Sequence, residues 1–300
     1  MQQILDEIAA EARPLAKEGT VANYIPALAR VDPSKFALAV VTADGEEHVT
    51  GDADEPFSIQ SVSKLFSLAL AMEVLGDALW DRVDREPSGM RFNSLIQLET
   101  ERGIPRNPFI NAGAIAVTDA MMQPCPSWPE DLAKEVRLLS GNPSLAFDDE
   151  VHRSEGETGD LNRAMAFVLK AHGNLKGDPM AVTDAYFRAC ALTMSARDLA
   201  RAAMFLVAPQ SGPGACVAGL NAQRIRAIMR TCGLYDQSGE FAYQVGLPGK
   251  SGVGGGIVVV QPGKYAACAW SPPLDRYGNS AAGQAALAAL ASRLPNPLAI

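Results

Sequence analysis

Ser61 and Lys64 stand three residues apart at the head of an apolar run, Phe57-Ser-Ile-Gln-Ser61-Val-Ser-Lys64-Leu-Phe-Ser-Leu-Ala-Leu-Ala-Met-Glu-Val-Leu-Gly76. Positions three apart on a helix lie on one face, a turn above each other, so the hydroxyl would lie beside the ammonium. In a buried helix the lysine loses hydration and its charged form is disfavoured, so it can take the serine proton near neutral pH. Such a pair is an activated nucleophile that needs no histidine. A Ser-His-Asp triad has little to build on, because His48, His152 and His172 lie beside charged or Gly-rich residues, and they lack metal-ligand spacing as well. A Ser-x-x-Lys pattern arises by chance about once in a chain of this length, and a capping serine with a solvated lysine is the plain alternative. The run that follows separates the two readings: it is apolar nearly all round a helix and should be buried.

A second run, Gly246-Leu-Pro-Gly-Lys250-Ser251-Gly252-Val253-Gly-Gly-Gly256, precedes a strand. A phosphate loop would instead open a helix after a strand. The run reads as a flexible glycine turn, or as the Lys-Ser-Gly counterpart of the edge strand in the Ser-x-x-Lys acylases that recognise penicillin. There, glycines let a carbonyl approach the backbone so that an N–H completes an oxyanion hole. Asn111 heads an apolar helix, either as an N-cap or as an amide facing a cleft. Ser154 to Arg163 reads as a charged loop between helices, and Tyr186 and Tyr235 as core tyrosines with satisfied hydroxyls.

The elements that must position these groups are divided along the chain. Phe36–Thr42 and Glu46–Thr50 read as strands around an Asp44-Gly45 turn, and residues 240–245, 256–260 and 265–270 as three more. Helical period covers 62–75, 110–122, 130–139, 160–172, 179–191, 196–207, 220–231 and 280–294. This predicts an α/β (α+β) chain. One antiparallel sheet would be built from both termini (1–60 and 236–300) and flanked by terminal helices. An all-helical part (61–235) would be inserted, with the active site at the seam.

The 300 residues are 48% hydrophobic and 20% charged, ordinary for a globular protein with ample core. A net charge of −8 with no Lys/Arg cluster argues against nucleic acid. No apolar run reaches the roughly 18 residues a membrane span needs. The N-terminal stretch is an acidic amphipathic helix and lacks the features of a signal peptide, so a cytoplasmic enzyme is expected. Cys125, Cys190, Cys216, Cys232 and Cys268 are odd in number and widely spaced, which suits reduced thiols rather than disulfides or zinc. No metal or cofactor is expected.

Taken together, these segments resemble the serine-dependent glutaminases, bacterial-type enzymes with the β-lactamase/DD-peptidase-like, penicillin-binding fold. The resemblance spans nearly the whole chain: Val21–Ala29, Phe57–Lys64, Glu86–Gly89 with Phe92–Ser94, Asn107–Gly113, Ser154-Glu155 with Asn162–Ala164, Asp184–Phe187, and Leu247–Gly256. It implies hydrolysis of L-glutamine to L-glutamate and ammonia through a glutamyl-serine, by a homodimer or homotetramer. It makes Ser61 the nucleophile, Lys64 its base and Tyr235 a proton relay. The N–H groups of Ser61 and Val253 would form the oxyanion hole, and Tyr24, Asn111, Glu155, Asn162 and Tyr186 would grip the amino-acid end. A carboxylate for the α-ammonium and amide and phenol donors for the α-carboxylate suit that assignment. Two departures stand out: Gly249 where alanine is usual, loosening the backbone, and a proline-rich 121–129 stretch that should end the preceding helix early. The alternatives are another serine acylase or β-lactamase-like amidohydrolase, or a sensor that binds an amino acid or a β-lactam without turnover.

Overall fold

The computed structural model describes residues 1–90, 93–208 and 219–294, so Phe92 and Cys216 lie outside the described residues. Its centre is a five-stranded antiparallel sheet. The strands run in the order Glu47–Gly51, Ala37–Thr42, Tyr265–Trp270, Gly256–Gln261, Gly249–Ser251, drawing on both ends of the chain. The three middle strands are buried almost throughout because both faces are covered. Side chains alternate across a strand. Leu38, Val40, Ile257 and Val259 therefore enter one core with Leu5, Ile8 and Leu287 of the terminal helices Gln2–Ala12 and Ala281–Arg293. Ala37, Ala39, Val41, Val258 and Val260 enter the other, with Leu199 of the Ala196–Ala202 helix and the helix Ser63–Leu75.

Two expectations are corrected. Residues 240–245 are not a strand but part of the helix Ser238–Gln244. Phe241 and Val245, four apart, are buried, while Tyr243 between them is 88% exposed. A strand would have turned all three to one face. The edge position goes to Gly249–Ser251 instead. Nor is Ser154–Arg163 a loop. Ser154 to Thr158 close the helix Asp149–Thr158, whose N-cap Asp148 accepts from Glu150 N and Val151 N. Its buried face is Val151, Ser154 and Glu155, helical in spacing but mostly polar, so no hydrophobic periodicity betrays it. The expected 196–207 helix turns 3₁₀ after Ala202, and the helix starting at Asn111 ends at Met122, before Pro124. Gly249 does more than loosen backbone: a Cβ there would come within 2.9 Å of Phe241 and 3.0 Å of Leu234. No helix of the described residues is long and apolar enough to cross a membrane.

Asp119 anchors the helix Asn111–Met122 that carries part of the site. Its carboxylate, 2% exposed, accepts from Arg82 Nη2 at 2.5 Å, Lys176 N at 2.9 Å and Gly177 N at 2.7 Å. Removing one partner strands buried charge and unpaired donors. Asp119→Ala should cost about 3 kcal/mol or more in equilibrium denaturation. The exposed Arg30–Glu150 pair should lose well under about 1 kcal/mol in Arg30→Ala. Equal losses in the two variants would contradict the anchor role.

Candidate active site

Chain geometry first delivers the serine. After the short strand Phe57–Ser58, Gln60 takes φ +50°, a left-handed conformation costing a non-glycine residue roughly 1–2 kcal/mol. Gln60–Val62 form a 3₁₀ turn that runs into the helix Ser63–Leu75. The glycine-rich run packs directly on this turn. A Cβ on Gly254 would lie 2.0 Å from Ser58 O, and one on Gly252 2.4 Å from Ile59 O and 3.2 Å from Ser61 N. Side chains at either glycine would force the two segments apart. Among the described residues, the N–H groups of Ser61 and Val253 donate to no other protein group. Ser61 and Val253 both line the cavity beside this turn.

Lys64, three residues on in the helix Ser63–Leu75, is 2% exposed. Its Nζ donates to Asn111 Oδ1 at 2.7 Å and Phe109 O at 3.3 Å, and stands 5.7 Å from the Tyr186 ring centroid. Burial brings its pKa down to about 8, against the pull of Cys190 and Glu155. Asn111 is not the N-cap. Ile110 holds that position with no side-chain cap, and Asn107 Oδ1 accepts from Phe109 N and Ile110 N in the turn before the helix. The Asn111 amide is instead wired across the site: Oδ1 also accepts from Tyr186 at 3.3 Å, and Nδ2 donates to Asn162 Oδ1 at 2.9 Å. That leaves the Asn162 amide to present its N–H₂ end.

These groups surround a cavity of about 280 Å³, lined by Ser61, Asn111, Asn162, Tyr186, Tyr235 and Val253. Tyr24 and Glu155 line it too. Tyr24, 56% exposed, forms part of the rim. Glu155 is buried, its Oε1 has no hydrogen-bond partner among the described residues, and burial pushes its pKa up to about 7 against opposing pulls from Gln60 and Lys64. Tyr235 opens a 3₁₀ turn at φ +51°. Burial holds its phenol well above the usual range, while the Ser61 and Ser251 hydroxyls pull it back. Every sequence-predicted site residue is thus gathered here, with Lys64 behind the wall.

Three neighbours were not among the residues expected to form the site, although Lys250 belongs to the Lys-Ser-Gly run. Gln60 lines the cavity and donates to Ser58 Oγ; adjacency to Ser61 was its only signal. Cys190 lines it from one turn beyond Tyr186, an i,i+4 relation legible only once the cavity-facing side of the Pro179–Cys190 helix is known. Lys250 is fully buried behind Tyr235, its ammonium 5.0 Å from that ring centroid.

A family model described as glutaminase matches residues 19–296. A glutaminase of Paraburkholderia phytofirmans is 52% identical, the match covering 95% of this chain and 94% of the relative. One of Rhizobium rhizogenes is 50% identical, over 98% and 96%. Among solved structures, the probable glutaminase YbaS superposes with a TM-score of 0.90 at 38% identity, covering 98% of this chain and 96% of its own. A probable glutaminase from Bacillus subtilis, complexed with 6-diazo-5-oxo-L-norleucine, does so with 0.85 at 31% identity, over 96% and 92%. These neighbours share the β-lactamase-like fold, which is this chain's fold class.

Proposed function

The chain belongs to the glutaminase family, an amide hydrolase converting L-glutamine to L-glutamate and ammonia, and we propose that it works through a glutamyl ester on Ser61. The observation carrying this reading is a serine at one wall of an amino-acid-sized cavity that also holds a buried carboxylate with an unused oxygen. Glu155 takes the α-ammonium. Asn162, Tyr186 and Tyr24 hold the α-carboxylate end, with Asn111 fixing Asn162 and Tyr186 relative to Lys64. The side-chain amide then reaches Ser61.

Hydrogen-bond accounting explains how a lysine serves as base. Neutral Lys64 has two N–H donors and one lone pair. Asn111 Oδ1 and Phe109 O take the donors, which leaves the lone pair for the Ser61 proton. Oγ attacks the amide carbon, and the oxyanion rests on the N–H groups of Ser61 and Val253, each donor worth roughly 3 kcal/mol in comparable sites. Ammonia departs with a proton from Lys64, handed on directly or through the Tyr235 hydroxyl. Water then gives a proton to Lys64 and attacks the ester, and Ser61 leaves with that proton as glutamate is released. No observation favours a β-lactam acylase or a non-catalytic sensor. The same reading takes 61–235 as the helical part inserted between 1–60 and 236–300. It assigns the enzyme to the cytoplasm as a homodimer or homotetramer, in keeping with the family resemblance.

The test is ammonia release from L-glutamine across pH. Lys64 must be neutral and Glu155 ionised. Lowering pH through about 8 protonates the base, and through about 7 the free-enzyme carboxylate. Hence kcat/KM should fall with two protons on the acid side, and kcat with one near 8, because bound ammonium keeps Glu155 charged. Absence of ammonia release at every pH, or rates flat from pH 6 to 9 (about one unit below and above these pKa values), would refute the scheme.

A further inference from the structure

Glu155 and Asn162, which bind the amino-acid end of the substrate in the reading above, stand on two different helices. Glu155 lies in the last turn of Asp149–Thr158, and Asn162 in the first turn of Asp160–Ala171. A single residue, Gly159, separates the two. The joint itself lines the cavity through Thr158 and Gly159. The spacing of carboxylate and amide therefore depends on how the chain turns at one glycine.

Two sets of contacts fix that turn. A Cβ on Gly159 would fall 2.3 Å from Phe187 Cζ and 2.6 Å from Glu155 O, so the joint is pressed onto a buried ring. Arg163 bridges the same joint. Side chains on a helix lean toward its N-terminus, which carries this guanidinium back over Gly159. Its Nη2 donates to Gly156 O of the preceding helix, and its Nη1 to Asp160 Oδ1 at 3.0 Å. Its Cζ lies 5.7 Å from the Phe187 ring centroid. Gly156 O is one of the four carbonyls that a helix leaves unpaired at its C-terminus, and it adjoins Glu155. Charge pairing does not account for the residue. Asp160 is 93% exposed, and an ion pair in that setting contributes little. The planar fork, with two donors held in fixed relation, is what reaches both helices at once.

We propose that Arg163 is a positioning residue that sets the spacing of Glu155 and Asn162. By tying the last turn of one helix to the first turn of the next, it holds the carboxylate and the amide at the separation of an α-ammonium and an α-carboxylate. Arg163 does not line the cavity, so it acts through these two groups and not on the substrate. The proposal rests on the substrate-binding roles given above to Glu155 and Asn162, and deepens them.

The test compares Arg163→Met, which has no donors, with Arg163→Lys, which keeps one charged donor but not the fork. Ammonia release from L-glutamine is measured on protein whose folded fraction is known from circular dichroism. The displaced groups bind substrate and do not react with it, so the loss should fall on KM. Arg163→Met should raise KM about 10-fold, short of the roughly 100-fold that a misplaced reacting group costs, with kcat per folded molecule within about 2-fold. Arg163→Lys should recover part of the loss. In a Glu155→Gln background the Arg163→Met effect on KM should shrink, because one of the two groups it positions is already gone. An unchanged KM in Arg163→Met, a loss confined to kcat, KM effects that multiply in the double variant, or failure of both variants to fold would each overturn the positioning role. Glu155→Gln alone is the separating control. A wild-type KM there removes the substrate-binding reading itself; a raised KM there beside a normal one in Arg163→Met removes only the role of Arg163.

Discussion

Ser61→Ala and Lys64→Met should each release ammonia from L-glutamine about 10⁴-fold or more slowly than the parent, and the double variant should be scarcely worse than either. Groups acting as one nucleophilic unit show such non-additivity, because losing either ends covalent catalysis. Lys64→Met is an informative partner variant because it should leave the fold intact. The amine it removes is buried without an ion pair, and Asn111 Oδ1 keeps the Tyr186 hydroxyl as donor. The Phe109 carbonyl loses a donor, a cost of about 1–3 kcal/mol, so rates are compared per folded molecule. The affinity label 6-diazo-5-oxo-L-norleucine, bound by the Bacillus subtilis relative, should modify the parent at Ser61 as read by peptide mass mapping. Losses that multiply in the double variant, or labelling at another residue, would remove Ser61 and Lys64 from the chemistry.

Glu155→Gln should weaken kcat/KM for glutamine roughly 100-fold, chiefly through KM, while the melting temperature holds or rises. The carboxylate is buried, and one oxygen has no hydrogen-bond partner among the described residues. In the empty enzyme that is a liability, visible as a pKa raised to about 7. In the complex it becomes the counter-ion of the substrate ammonium, and deleting one member of a buried charge pair costs about 2–5 kcal/mol. The opposite signs on binding and stability are the diagnostic feature. An unchanged KM, or a variant that loses binding only because it unfolds, would remove Glu155 from substrate recognition.

Much of this site was legible in the sequence because its parts are local. Ser61 and Lys64 need only helical spacing and an apolar helix behind them. The glycines of 246–256 announce close backbone approach, and Gly252 and Gly254 meet the turn at Ser58–Ser61. Glu155 shows the limit. Its helix buries Ser154 and Glu155 beside Val151, so the apolar pattern that reveals other helices is missing, and the residues read as a polar loop. Residues 240–245 failed in the opposite sense. So short a run of mixed apolar and polar residues fits strand or helix equally, and only the burial of Phe241 and Val245 with Tyr243 exposed decides between them.

By itself the sequence singled out the proposed nucleophile and base, and it determined the antiparallel sheet drawn from both termini and the family resemblance. Each of these rests on spacing or pattern along the chain. Tertiary structure decided what no spacing encodes. It turned Asn111 from a cap into the amide linking Lys64 to Asn162, left a Glu155 oxygen without a partner among the described residues, and buried Lys250 between two carbonyls behind Tyr235. The physical reason is desolvation. Hydrogen-bond demand and proton affinity depend on what surrounds a group after water is gone, and residues tens to hundreds of positions away supply those surroundings.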